Sequence, residues 1–294
     1  MSFNDDARID PSKVKRRRRA VGAGVGGGGL IAIALVVISQ IAGVDLTGLG
    51  PALGGGGGTS QGGQPSDEDL STCTTGADAN ASIDCRMVGA ATSLSDYWTA
   101  TAPSLGVTNY ADPEFFLFDA ATDTGCGQAT SAVGPFYCPP DVAIYIDTTF
   151  YQDLRTKYGA SGGPLAEMYV VAHEWGHHIQ SLTGALAKSQ DGDTGPTSNG
   201  VRVELQADCF AGAWAAAASN TDDPSGRPLL EEITDAQVAD ALSAAAAVGD
   251  DRIQGTTANS ETWTHGSSES RQKWFTTGFN GGATACDTFA PATP

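Results

Sequence analysis

The segment HEWGHH, residues 173–178, holds three of the chain's four histidines within six consecutive positions. The surrounding stretch, GPLAEMYVVAHEWGHHIQSLTG, has a proline near its start and a glycine at its end, and both are typical of helix boundaries. Residues four positions apart lie on one face of a helix, so the side chains of His173 and His177 project together. The segment therefore predicts a long helix that presents two imidazoles side by side.

This spacing is suited to a metal ion. Two histidines on one helical face can bind one Zn²⁺ through ring nitrogens at about 2.0–2.1 Å. Glu174 follows the first histidine, and its carboxylate can reach a water at the metal and act as general base. His178 points about 100° away around the helix, so we interpret it as structural or surface-exposed. Gly176 predicts a closely packed neighbour, because glycine is otherwise costly within a helix.

A catalytic zinc of this type needs three protein ligands, and ELQAD, residues 204–208, offers the missing one. Glu204 and Asp208 lie one turn apart on a second predicted helix, which carries Phe210, Trp214 and many alanines and is expected to be buried. We predict that Glu204 binds the metal and that Asp208 accepts a hydrogen bond from a ligand histidine. The alternative is a pair of acids on a solvated helix face.

The fourth histidine, His265, lies in THGSSESRQKWF near the C-terminus. It is a candidate catalytic residue that donates a hydrogen bond to the oxyanion formed when hydroxide attacks an amide carbonyl. A hydrogen-bonded loop histidine without a catalytic role explains it equally well. We interpret Arg271, in the same segment, as a structural ion-pair partner.

Basic residues are concentrated at the N-terminus, although the whole chain has a net charge of −18. The run KVKRRRR, residues 13–19, directly precedes an uncharged stretch from Ala20 to Val44. As a helix, this stretch would be about 38 Å long, enough to cross a hydrocarbon core of about 30 Å. The positive-inside rule then places the N-terminus in the cytoplasm and the main domain outside the cell membrane. A cleaved signal peptide and a nuclear-type basic patch are the alternatives.

The net charge of the main body indicates which partners it can bind, and the positions of the cysteines indicate the cellular compartment. The main body is strongly acidic, which argues against nucleic acid as a partner. Six cysteines all follow the apolar stretch, which is typical of disulfide-bonded exported domains. Spacing makes two local pairs natural and leaves a third, long-range pair, although fifteen pairings are formally possible. The expected pairs are Cys73–Cys85, Cys126–Cys138 and Cys209–Cys286.

Composition divides the chain into four parts. Residues 1–19 are a basic cytoplasmic head, 20–44 a transmembrane helix, 45–69 a flexible linker rich in glycine, serine and glutamine, and 70–294 one domain. Most of that domain has helical spacing, whereas DVAIYID, residues 141–147, alternates as a strand does. The expected fold class is α+β, predominantly helical, with a small sheet.

Four segments together resemble the bacterial neutral zinc metallopeptidase family: HEWGHHIQ, ELQADCFAGAWA, GCGQATSAVGPFYCPPDVAIYID and HGSSESRQKWF. The resemblance covers most of residues 70–294. It implies a zincin-like fold in which His173, His177 and Glu204 hold one Zn²⁺ per chain and Glu174 is the catalytic base. The strand AIYID would then border the cleft and pair with an extended substrate backbone.

The expected function is that of a membrane-anchored, extracytoplasmic zinc peptidase acting on polypeptides. One alternative is a non-catalytic, zinc-bearing scaffold or interaction domain of the cell envelope, and another is an envelope adhesin or interaction module in which HExxH occurs by chance. Glu174 favours the enzyme, because a structural zinc site needs no adjacent base and usually has four protein ligands. The sequence indicates no oligomeric state.

Overall fold

A computed structural model describes residues 2–18, 66–68, 70–255 and 259–294 of the chain. The described residues are mostly helical with two small sheets, which agrees with the expected α+β class. The helices are α1 (Gly76–Ala81), α2 (Ile83–Thr101), α3 (Phe150–Thr156), α4 (Pro164–Thr183), α5 (Asn199–Ala217), α6 (Asp235–Ala247), α7 (Asp250–Ile253) and α8 (Ser268–Gly281). The strands are β1 (Lys15–Arg18), β2 (Ser66–Glu68), β3 (Glu114–Phe118), β4 (Ala121–Thr124), β5 (Gly127–Thr130), β6 (Phe136–Cys138) and β7 (Ala143–Asp147).

The larger sheet has the strand order β2-β1-β3-β7-β6. β3 runs parallel to both β1 and β7, whereas β2 and β6 are antiparallel edge strands. Alternate residues of β3 pack on opposite faces: Phe115 and Leu117 join the main core, and Phe116 and Phe118 join a smaller cluster. β3 and β7 are therefore apolar on both faces, as strands covered on two sides are. β4 and β5 form a separate hairpin.

Helix α4 lies at the centre of the molecule. It begins at Pro164 and ends at Thr183, and the following Gly184, with a φ of 77°, caps it in the left-handed conformation that glycine adopts without strain. Every residue from Leu165 to Gln180 is buried. The predicted helix over residues 163–184 is confirmed, and its full burial explains why apolar residues occur on all its faces.

Helices α5 and α8 cross closely because each has a glycine at the contact. A β-carbon on Gly278 would lie 1.8 Å from the backbone oxygen of Cys209, and one on Gly212 would lie 2.0 Å from that of Phe275. Neither backbone oxygen can move away without shifting its helix. These two glycines therefore set the distance between α8 and the helix that carries Glu204.

Residues 2–18 belong to the same packed unit as the main domain. Phe3, Ile9 and Val14 are buried in the main core, and the backbone N–H of Gly76 donates to the oxygen of Ala7 at 2.8 Å. The basic run forms β1, which pairs with β3. The N-terminal segment thus supplies both core side chains and one strand of the sheet.

Acidic residues of the domain form ion pairs with Lys13, Lys15 and Arg16 of this basic run. Ion pairs with side-chain distances of 2.6–2.7 Å join it to the residues around β3, and a further short contact reaches α2. The pairs are Lys13–Asp112, Lys15–Glu114, Arg16–Asp119 and Arg16–Asp84. The basic residues therefore stabilise an intramolecular contact.

The expected single-pass membrane topology is wrong. None of the helices in the described parts of the chain combines the length and the apolar character needed to cross a bilayer. The proposed spanning segment, 20–44, and residues 45–65 of the proposed linker lie outside the described residues. Because residues 2–18 pack against the domain, the two parts cannot lie on opposite sides of a membrane, as a cytoplasmic head and an extracytoplasmic domain would require.

The three expected disulfides are confirmed. Cys73 is bonded to Cys85, Cys126 to Cys138 and Cys209 to Cys286. The third bond fastens the C-terminal segment to α5. Arg202 of the same helix strengthens this attachment by donating to the backbone oxygens of Thr288, Pro291 and Ala292.

Candidate metal centre

Helix α4 places His173 and His177 side by side in a buried position. Their ring centroids are 4.8 Å apart, and each residue is 7% exposed. Gly176 lies between them and faces α5, where a β-carbon would be 3.0 Å from the Cα of Ala207. The close neighbour predicted from this glycine is therefore present, and its approach brings Glu204 to the two histidines.

Glu204 completes a group of three possible ligands. Its Oε2 lies 3.2 Å from Nε2 of His173, and its Oε1 lies 3.5 Å from Nε2 of His177. One potential ligand atom from each residue lies within 4.8 Å of the others. Although burial opposes the charged form, the positive potential of His177 and the hydrogen bond from His173 hold the pKa of Glu204 well below its ordinary value.

The residues present fit a zinc ion. Oε1 of Glu204 is buried and has no hydrogen-bond partner among the described residues. An unpartnered carboxylate oxygen in the interior is costly, and a bound cation would remove that cost. Two imidazole nitrogens and one carboxylate are also a ligand set that catalytic zinc sites use, with a fourth position left for water.

Asp208 orients His173 from behind. Its Oδ1 lies 2.8 Å from Nδ1 of His173, which leaves Nε2 facing Glu204. Arg271 donates to both oxygens of Asp208 through Nε at 2.8 Å and Nη2 at 2.9 Å, and the hydroxyl of Tyr169 makes a short contact with the same carboxylate. Arg271 is therefore an ion-pair partner, as interpreted from the sequence, and its partner is the residue that supports a candidate ligand.

Glu174 lies on α4 directly after His173 and is also buried. Burial raises the pKa of its carboxyl group above the ordinary value, although the neighbouring histidines and the backbone N–H of Tyr137 favour the charged form. A raised pKa makes the carboxylate a better proton acceptor. Tyr137 belongs to β6, so this edge strand borders the base.

The strand expected beside the cleft was misassigned. AIYID forms β7, whose neighbours on either side are β3 and β6, so it has no free edge for an extended peptide. β6 occupies the edge instead. The expectation followed from the family resemblance, which does not by itself give the order of the strands in the sheet.

His265 lies close enough to Glu204 for the two charges to shift each other's pKa. Its Nδ1 is 3.2 Å from Oδ1 of Asp250. The other oxygen of Asp250 accepts the backbone N–H groups of Thr264, His265 and Gly266 at 2.7–2.9 Å. Asp250 therefore fixes both the loop and the imidazole, which leaves Nε2 of His265 free to interact elsewhere.

His178 is structural and is not exposed. Its Nε2 lies 2.8 Å from the oxygen of Ala111, and its Nδ1 lies 3.2 Å from the hydroxyl of Tyr137. Since a carbonyl oxygen only accepts, Nε2 carries the proton and Nδ1 accepts from Tyr137. Burial lowers the pKa of His178, which favours this neutral form.

Sequence reasoning missed several residues that contact the candidate site residues, among them Tyr169, Gln180, Tyr137 and Asp250. Tyr169 lies four positions before His173, and Gln180 lies three positions after His177, so helical spacing could have indicated both. Tyr137 comes from a distant strand, and nothing in its local sequence connects it with Glu174. The structure brings together all the candidate residues of the site: His173, Glu174, His177, Glu204, Asp208 and His265.

Comparison with known proteins gives a family match over residues 5–289, to the model described as "Putative neutral zinc metallopeptidase". The uncharacterized protein Rv2575 of Mycobacterium tuberculosis is 53% identical over 229 residues, covering 76% of each chain. The uncharacterized protein YpfJ of Escherichia coli is 36% identical over 271 residues, covering 88% of this chain and 86% of its own. No solved structure matches the chain. The family match begins within the N-terminal segment, which agrees with the packing of that segment into the domain.

Proposed function

The chain belongs to the neutral zinc metallopeptidase family, and on that premise we propose that it is a zinc-dependent peptidase acting on polypeptides. One observation supports this most directly. His173, His177 and Glu204 form a buried group of ligand atoms, and Glu174 lies beside it on the same helix with a raised pKa. A purely structural zinc site has no use for such a base.

The side chains divide the catalytic work between them. His173, His177 and Glu204 would hold Zn²⁺, which acts as a Lewis acid and lowers the pKa of a water. Glu174 accepts the proton of the attacking water and delivers it to the leaving amine. Although burial opposes the charge, the Asp250 carboxylate accepts from Nδ1 and raises the pKa of His265, so the charged imidazolium would donate from Nε2 to the oxyanion that forms at the scissile carbonyl.

The edge strand β6 is the element best placed to bind the substrate backbone. Among the strands that the structure describes it pairs only with β7, and its Tyr137 N–H points toward Glu174. An extended peptide that adds to this edge would lie alongside the base and the metal ligands. Backbone pairing of this kind needs an extended polypeptide, which is the substrate class we propose.

The test compares the full chain with its Glu174→Gln variant. The full chain is needed because residues 2–18 supply part of the core. Zinc content is measured on each purified protein, and hydrolysis is followed with an unfolded, generic protein substrate such as casein. We expect about one zinc per chain in both proteins, and turnover in the parent that chelation abolishes and added zinc restores.

The Glu174→Gln variant should keep its zinc and lose turnover by at least about 100-fold, the scale of a general base. Glu232→Gln, the same change at an exposed position, is the matched control and should retain full activity. Equal turnover in parent and Glu174→Gln would reject the assigned mechanism. Zinc binding without turnover in the parent would favour a non-catalytic zinc domain.

A further inference from the structure

The second ligand, His177, is held by a different kind of group from the first. Gln180 lies one helical turn further along α4, is fully buried, and places its Oε1 2.8 Å from Nδ1 of His177. Its Nε2 donates to the backbone oxygen of Val203 at 2.6 Å and to Oε1 of Gln206 at 3.2 Å. Gln206 in turn donates from Nε2 to the backbone oxygen of Cys286 at 2.8 Å.

The two backbone carbonyls that accept from Gln180 and Gln206 determine the direction of these hydrogen bonds. The oxygens of Val203 and Cys286 are carbonyls and only accept, so each glutamine must turn its NH₂ group toward them. The carbonyl oxygen of Gln180 is then the atom that faces His177. If Gln180 were reversed, its oxygen would face the oxygen of Val203 and both bonds would be lost.

It follows that Nδ1 of His177 carries the proton and that Nε2 keeps its lone pair. This is the nitrogen that lies 3.5 Å from Oε1 of Glu204, where a metal would be shared. A neutral amide therefore selects the tautomer that can bind a cation. At His173 the corresponding group is the carboxylate of Asp208, which is paired with Arg271.

We propose that Gln180 is the positioning residue of His177, and that Gln206 holds Gln180 by connecting it to the disulfide-anchored C-terminal segment. This proposal rests on the proposed metal centre. In this arrangement the two buried amides of Gln180 and Gln206 fix the tautomer and the ring orientation of His177. Partners of this kind typically change metal affinity by about 10- to 100-fold when they are removed.

The test measures zinc affinity by competition with a chromophoric chelator, which needs no substrate. The variants are Gln180→Met, Gln206→Met and the double variant, since methionine keeps the length of the side chain and removes its polar atoms. Gln272→Met is the matched control, because Gln272 also donates from Nε2 to a backbone oxygen, that of Leu242 at 3.0 Å. The unfolding of each zinc-free protein is followed in parallel.

We expect Gln180→Met to weaken zinc binding by about 10- to 100-fold, with a smaller loss in Gln206→Met and no change in Gln272→Met. The double variant should be no weaker than Gln180→Met alone, because the two residues act through one path. Parental affinity in Gln180→Met, or losses that add in the double variant, would overturn the proposal.

If Gln180→Met does not fold, Gln206→Met carries the test, since its side chain does not touch the ligand. Unchanged zinc affinity in that variant would then overturn the proposal. A parent protein that binds no zinc would overturn both this inference and the proposed function. If the parent binds zinc but hydrolyses no substrate, the zinc affinities of the variants still test the role of Gln180.

Discussion

His173 and His177 are the same residue type on the same helix, yet their Nδ1 atoms, which point away from Glu204, face different kinds of partner. Nδ1 of His173 faces the Asp208 carboxylate, whereas Nδ1 of His177 faces the amide of Gln180. A carboxylate partner raises the basicity of an imidazole more than a neutral amide does. The two ligands of the candidate centre are therefore electronically unequal.

The pair formed by Asp250 and His265 predicts a pH dependence. Although burial opposes the charge, the hydrogen bond to Asp250 raises the pKa of His265, and the same contact lowers the pKa of Asp250. The contribution of the histidine is complete below about pH 6.5 and is lost as the pH rises through its folded pKa. That of the carboxylate is complete above about pH 3.9 and is lost as the pH falls through its folded pKa.

We therefore expect Asp250→Asn to lower the pKa of His265 and to destabilise the fold most between about pH 4 and pH 6.5. The measurement is urea unfolding of the zinc-free parent and variant across this range, together with an NMR titration of His265. As the pH rises above this window, the difference in the free energy of unfolding should shrink. A difference that does not vary with pH would show that Asp250 acts only through the backbone of the loop.

Several residues of the candidate site follow from helical spacing and others do not. The positions of His173, Glu174 and His177 on α4, and of Glu204 and Asp208 on α5, are local consequences of 3.6 residues per turn. The contact of Arg271 with Asp208 and that of Asp250 with His265 depend on how α8 and the loop before it pack. Local spacing contains no information on such contacts.

At the scale of elements, the crossing of α5 and α8 gives a sharp prediction for Gly278. Alanine at this position would place its β-carbon 1.8 Å from a backbone oxygen, so the helices must separate. We expect a loss in the free energy of unfolding of at least about 1–3 kcal/mol, measured by urea denaturation. Zinc affinity should fall as well, because α5 carries Glu204.

Gly200→Ala is the matched control for Gly278→Ala. Both glycines are helical, but the nearest atom to a β-carbon on Gly200 is 3.7 Å away, an ordinary contact. Alanine there should leave stability unchanged or raise it by up to about 1 kcal/mol, because alanine favours helices. Equal effects at the two positions would contradict the assignment of Gly278 as the contact that sets the spacing.

Helices were easier to predict than strands in this chain. α4 has a proline at its start and a glycine after its end, and α6 begins with the capping box formed by Thr234 and Gln237. β1 consists of the residues KRRR, and no local preference favours a strand of four cations. It forms because Lys15 and Arg16 meet the acids Glu114, Asp84 and Asp119 on elements far along the chain.

At the scale of the whole molecule, the N-terminal segment is predicted to be essential for stability. Phe3 is 1% exposed in the main core, so Phe3→Ala should lower the free energy of unfolding by about 3–5 kcal/mol. Leu182→Ala, at a residue that is 40% exposed, should change it by about 0.5 kcal/mol or less. Urea denaturation measures both changes.

A shortened protein comprising residues 70–294 should fail to fold cooperatively, because it lacks Phe3, Ile9, Val14 and the strand that covers β3. This outcome would be visible as the loss of a sigmoidal unfolding transition. A stable, zinc-binding fragment of that length would contradict the role given to the N-terminal segment. Residues 2–18 pack into the domain that was expected to begin at residue 70, and composition did not indicate this because it marks a change in charge but not the burial of three apolar side chains.

Arg18 and Ser66 face each other across β1 and β2. The chain thus leaves the sheet after Arg18 and rejoins it at Ser66, the residue paired with Arg18 on the neighbouring strand. The entropic cost of closing a loop grows only with the logarithm of its length, by about 0.6 kcal/mol for each doubling. Doubling or halving the number of residues between Arg18 and Ser66 should therefore change the free energy of unfolding by only about 0.6 kcal/mol, and the candidate metal centre should keep its geometry.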